Sequence, residues 1–243
     1  MIKKFYIVIF FQMLTFLSFG QEKKYAISDL DNTYLLEMKA ENSALSSRIK
    51  TFPKNIQDLN KKISQAIKNN DDAKALELAL EMDKLYPNNP DIKNFIGKRQ
   101  AKALDYTNSL KNFDEAIKLN DKNKWFYINK STVQAENNQL EEALKTVEKL
   151  ISLYPNWSIG YNLKASFFNE LNQQNEALKA YELAIMAEPK SAQILTNRGD
   201  LYVQLSRDKE AIADYKKALE IQPDYSRAQE KLDAITKSVP QKK

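Results

Sequence analysis

The sequence contains no cysteine and no histidine, and only 4 glycines and 7 prolines among its 243 residues. Without cysteine there are no disulfides, so the fold has to be held by packing alone. Without histidine, the imidazole base, the Ser-His triads and the usual His or Cys metal sites are all absent. The glycines stand at positions 20, 97, 160 and 199, too scattered for a glycine-rich phosphate loop. No cofactor and no metal are therefore expected. Basic residues number 37 against 32 acidic, a formal charge of +5, whereas a nucleic-acid binder carries a stronger, clustered positive patch. Nucleic acid is not an expected partner.

What is present is a chain 43% hydrophobic and rich in Ala, Leu, Lys, Glu, Asn and Gln. With so few turn residues, that composition favours helices joined by short turns over strands, and the expected class is all-α.

Residues 1–20 differ from the rest. Lys3 and Lys4 precede an apolar run from Phe5 to Phe19, and the small residues Ser18 and Gly20 precede Gln21. These are the three parts of a secretory signal. The run is shorter than the roughly 20 apolar residues a membrane span needs, and Gln12 and Thr15 interrupt it. Cleavage after Gly20 is expected, giving a periplasmic or secreted protein with no membrane attachment. Anchoring by residues 5–19 is the competing reading.

A fixed period organises the remainder. Pro53, Pro87, Pro155, Pro189 and Pro223 lie on one ruler of 34 residues, with Asp121 at the missing position. The last unit shows the accompanying pattern: Leu195, Gly199, Tyr202, Ala211, Tyr215, Ala218 and Pro223. The unit before it repeats the order as Tyr161, Ala165, Phe168, Ala177, Tyr181, Ala184 and Pro189. At these positions the chain resembles the tetratricopeptide repeat family. Earlier units match less fully. Tyr127, Ser131, Ala143 and Pro155 mark one, Gly97, Phe113 and Ala116 another, and Leu59, Ala75 and Pro87 the first.

The resemblance implies a right-handed superhelical solenoid of helix–turn–helix repeats closed by a capping helix. Small residues allow close helix approach and aromatics fill the gaps between units. Five repeats are expected, at 56–89, 90–123, 124–157, 158–191 and 192–225. Residues 21–55 read as a helical segment or degenerate repeat, 226–238 as the capping helix and 239–243 as a tail. Ala228, Leu232 and Ile235 form the single apolar stripe such a cap needs.

In this family the first helix of each unit lines a concave groove, through its second, fifth and ninth positions. That frame selects Asp91, Asn94 and Lys98; Trp125, Ile128 and Thr132; Ile159, Asn162 and Ser166; and Gln193, Thr196 and Asp200. The clamp with which some members grip a terminal carboxylate is matched only at Lys98 and Asn129, and the next unit then offers Ile159 and Leu163 where cations are required. The expected function is a non-catalytic adaptor holding a protein or peptide segment in the groove. The alternative is a structural module that oligomerises, homo-oligomers included, through its convex face or end repeats. One fragment, Asp29, Asp31 and Thr33, matches the D-x-D-x-T signature of haloacid dehalogenase-like phosphatases. That chemistry needs a preceding buried strand, and the competing reading is a polar turn capping the helix that begins near Tyr34.

Overall fold

The computed structural model describes residues 30–238. The signal reading at 1–20, the opening of the 21–55 segment and the tail at 239–243 fall outside the described residues. Those described form twelve α-helices and no strand: α1 Asn32–Lys50, α2 Lys54–Lys68, α3 Asp72–Leu85, α4 Pro90–Lys102, α5 Tyr106–Leu119, α6 Lys124–Glu136, α7 Leu140–Leu153, α8 Ser158–Glu170, α9 Gln174–Ala187, α10 Ala192–Gln204, α11 Asp208–Ile221 and α12 Ser226–Ser238. The fold is an all-α helical repeat. None of these helices is long and apolar enough to cross a membrane.

Two kinds of turn alternate, and local chemistry accounts for each. Inside a helix pair, the chain leaves the first helix through one residue in the left-handed region. These are Asn70, Leu104, Asn138, Asn172 and Ser206, with φ between 57° and 62°. At each, the next N–H reaches back to a carbonyl five residues earlier, as from Asp105 to Gln100 and from Arg207 to Tyr202, at 2.9 and 2.8 Å. This is the Schellman arrangement that satisfies the last carbonyls of a helix. Asparagine tolerates the left-handed conformation, so part of the chain's abundance of Asn belongs to these turns.

Between pairs the prolines take over. Tyr86, Glu188 and Gln222 precede Pro87, Pro189 and Pro223 and are extended, with φ from −142° to −136°, because a following proline disfavours the helical region. Asn120, before Asp121 at the position without a proline, takes the same conformation at φ −151°. Here the repeat geometry holds without the residue that marks it in the sequence. Side-chain caps from Asp71, Asn89, Asp105, Asn123 and Ser191 start the next helices.

The described chain divides into two compact units, residues 38–146 and residues 30–37 together with 147–238. In the N-terminal unit Ile56, Leu59, Ile63, Ala75, Met82, Ile92 and Ile96 form one core cluster, and Ala101, Phe113 and Val133 another. In the C-terminal unit Ala165, Ala177, Tyr181, Ala184, Ile194 and Leu201 pack together. The last helix closes that unit by adding Ala228 to Ala192, Leu195, Ala218 and Tyr225, and Ile235 to Tyr202, Ala211 and Tyr215. The described part of the 21–55 stretch is one helix, α1. Its residues up to Glu37 belong to the C-terminal unit and those from Met38 onward to the other.

Candidate interaction site

The residues selected by the repeat frame lie on α4 and α6 in one unit and α8 and α10 in the other, and most are buried. Asn94, Lys98, Trp125, Thr132, Ile159, Asn162, Gln193 and Thr196 are all buried, while Ile128, Ser166 and Asp200 are partly so. Polar side chains on the face of a solvated groove would be wet. In each unit a stretch of residues 31–48 hydrogen-bonds to some of them or to the residue just before their helix.

In the C-terminal unit that stretch begins at Asp31, which is only 1% exposed. Its Oδ1 accepts the N–H of Tyr34 at 2.9 Å, which caps α1. Its Oδ2 accepts the hydroxyl of Ser191 at 2.5 Å and the backbone N–H of Gln193 at 3.0 Å. One carboxylate thus serves the N-termini of α1 and α10, where unpaired N–H groups and the helix dipole both favour negative charge. One turn on, the Asn162 amide donates to the Tyr34 hydroxyl at 3.3 Å, and its own oxygen accepts Asn197 at 2.9 Å. Burial pushes the Tyr34 phenol well above its ordinary range, so it remains protonated. Asn32 N–H donates to Gln222 at 3.0 Å.

The other selected residues of this unit serve the scaffold. Thr196 turns its hydroxyl back onto Ala192 O at 2.8 Å, and Ser166 does the same onto Asn162 O at 3.2 Å. Asp200 accepts from Tyr215 and Arg227, both at 2.8 Å.

The N-terminal unit repeats the device with different residues. Asn123 caps α6 through the N–H of Trp125 at 3.0 Å and donates its amide to Glu41 of α1 at 3.1 Å. Arg48 of α1 grips Asp91 through two bonds, 2.8 and 2.9 Å, and also reaches Glu41 at 2.8 Å. Asn129 donates to Asn94 at 2.8 Å, as Asn197 does to Asn162 in the other unit. Burial lowers the Lys98 ammonium to about 7, with neighbouring Arg99 adding to the effect.

Of the residues the frame selects, Asp91 and Asn162 hydrogen-bond to side chains of α1, and Gln193 bonds Asp31, just before α1, through its backbone. It missed Asn123 and Ser191, each one residue before its helix and 68 apart in the sequence. It also missed Asp31, Tyr34, Glu41 and Arg48. For Asp31 the cap reading is what the structure displays; Asp29 lies outside the described residues.

Helix pairs of fixed length stacked by small and aromatic residues, with one face engaging a segment of chain, define a repeat scaffold built for protein interaction. Tetratricopeptide repeat models match residues 126–156, 160–191 and 192–225, and these three stretches of the chain are tetratricopeptide repeats. A Dictyostelium discoideum protein described as Protein STIP1 homolog is 37% identical over 65 residues, which take in 27% of this chain and 12% of that protein. Among solved structures, a tetratricopeptide repeat protein of Thermus thermophilus aligns with TM-score 0.58 at 19% identity, covering 74% of this chain and 98% of that one. YrrB, described as a tetratricopeptide repeat protein with an unusual peptide-binding site, aligns with TM-score 0.51 at 19% identity, covering 69% and 87%. At these identities the structures speak for the fold.

Proposed function

We propose that the chain is a non-catalytic adaptor that holds a protein or peptide segment against the first helices of its repeats. The observation that carries this reading is Asp31: a carboxylate from a distant part of the chain, bound by Ser191 and Gln193 at the start of α10. A face that binds an acidic helix start in its own chain has the donors to bind one from another protein. YrrB, with its described peptide-binding site, is in keeping with such a role. Export belongs to the same proposal and rests on Lys3, Lys4 and the apolar run to Phe19; N-terminal sequencing of the purified protein should then begin at Gln21.

A second reading has one observation in its favour. Leu183 and Met186 on α9 are 46% and 76% exposed, apolar surface that a self-association contact would cover. Photo-crosslinking separates the two. A benzophenone side chain placed at the exposed Lys190, beside Ser191, should trap a partner protein, and one placed at Met186 should not. Adducts between copies of the chain from position 186, with none from 190, would favour the oligomerisation module and remove the first-helix face.

A further inference from the structure

Residues 30–37 do not simply cover the first-helix face of the C-terminal unit. They satisfy it group by group. The carboxylate of Asp31 takes a hydroxyl and a backbone N–H from the start of α10 while capping its own helix. A neutral side chain at that point would leave Ser191 and Gln193 N–H facing no charge, at the place where the helix dipole most favours one. Three residues later the site asks for a hydroxyl. Asn197 donates to the Asn162 oxygen, which fixes the flip of that amide and leaves its NH2 to face Tyr34. The site therefore presents a donor there, and an oxygen on an aromatic lever answers it.

The fit has one defect. Gln193 is 5% exposed, and its side-chain oxygen is buried with no hydrogen-bond partner. An unmet buried acceptor is costly, so a segment offering an N–H or O–H to that oxygen would fit better than the chain's own.

We infer that the C-terminal unit reads an acidic residue followed three positions later by a tyrosine at the start of a helix, and that Asp31 and Tyr34 are an internal copy of the segment a partner protein presents. This rests on the adaptor reading above and names the chemistry of its ligand. The internal copy is covalently tethered and so present at high effective concentration. A partner binds only the fraction of molecules in which the copy has left, and its apparent affinity falls by that fraction. Residues 30–37 act as a built-in competitor, which admits a better-fitting partner and rejects poorer ones.

The test uses the full chain carrying Asp31→Ala and Tyr34→Ala, titrated with a fluorescent peptide of the sequence of residues 28–37 and followed by anisotropy. Binding should be saturable and at least tenfold tighter than to the unsubstituted protein. Alanine in the peptide in place of its aspartate or its tyrosine should weaken binding tenfold or more, and Asn162→Leu in the protein should abolish it. Should the double variant lose its helical circular dichroism, Asp31→Asn alone serves as the opened form.

Equal affinity for the unsubstituted and opened proteins would show that the internal copy does not occupy the site and would overturn the inference. So would equal binding of parent and alanine peptides, or binding of neither. A dimer formed by exchange of residues 30–37 between copies, seen by sedimentation and abolished by the double variant, would overturn it as well. In each case the crosslinking outcome at Lys190 still decides the adaptor reading by itself.

Discussion

Tyr215 lies with the edge of its ring against the backbone of Gly199, where a β-carbon would stand 2.5 Å from Tyr215 Cε1 and 2.9 Å from Cδ1. The ring has nowhere to retreat. Tyr215 is 1% exposed, and its hydroxyl donates to Asp200 at 2.8 Å. Asp200 in turn accepts from Arg227 and so joins α10, α11 and α12.

Gly199→Ala should therefore destabilise the protein by about 1–3 kcal/mol through overpacking, although alanine is the better helix former by about 1 kcal/mol. Gly160→Ala is the control. There the nearest atom to a new β-carbon is Ile151 Cγ1 at 3.1 Å, part of a flexible aliphatic chain, and the change should be neutral or stabilising. Urea unfolding followed by circular dichroism gives both values; equal midpoints for the two variants would contradict this account of the seam.

Leu104 occupies a conformation that suits it badly. It sits in the left-handed region at φ 62°, where a branched side chain is strained and asparagine or glycine is at ease. Its side chain is 71% exposed, so little packing is lost on replacement. Leu104→Asn should raise stability by about 0.5–1 kcal/mol, and Asn138→Leu at the equivalent turn should lower it by a similar amount. Thermal melts of the two variants should move in opposite directions.

Glu170 ends α8, and burial raises its carboxyl to about 7, above the ordinary value of 4.5. One of its oxygens is buried with no hydrogen-bond partner. Glu136, at the end of α6, is raised to about 7 for the same reason. The native protein thus keeps protons that the unfolded chain has released, so these groups make stability fall as pH rises from about 4.5 to 7. Glu170→Gln should flatten the decline in melting temperature between pH 5 and 7.5 and raise the value at pH 7.5. An unchanged slope would show that this carboxylate ionises freely in the folded state.

Much of the fold was legible because repeat architecture is written locally. Each unit contacts its neighbours, so the small and aromatic positions recur at one period, as Gly199, Tyr202 and Tyr215 illustrate. The left-handed turns at Asn70, Leu104, Asn138, Asn172 and Ser206 were on the same ruler, but leucine and serine hid two of them. The geometry there comes from the hydrogen bonding of the helix end rather than from residue type. Asp121, where the proline ruler fails, shows the same separation of geometry from identity.

By itself the sequence determined the class of element and the period, because helix propensity, turn chemistry and close packing between adjacent helices are short-range. Only the tertiary structure decided what residues 31–34 meet on α8 and α10. Asp31 meets Ser191 across 160 residues and Tyr34 meets Asn162 across 128, pairings with no period and no local pattern to betray them. They form because a carboxylate and a phenol cannot be buried without partners, and the start of α10 and the Asn162 amide within α8 supply the donors.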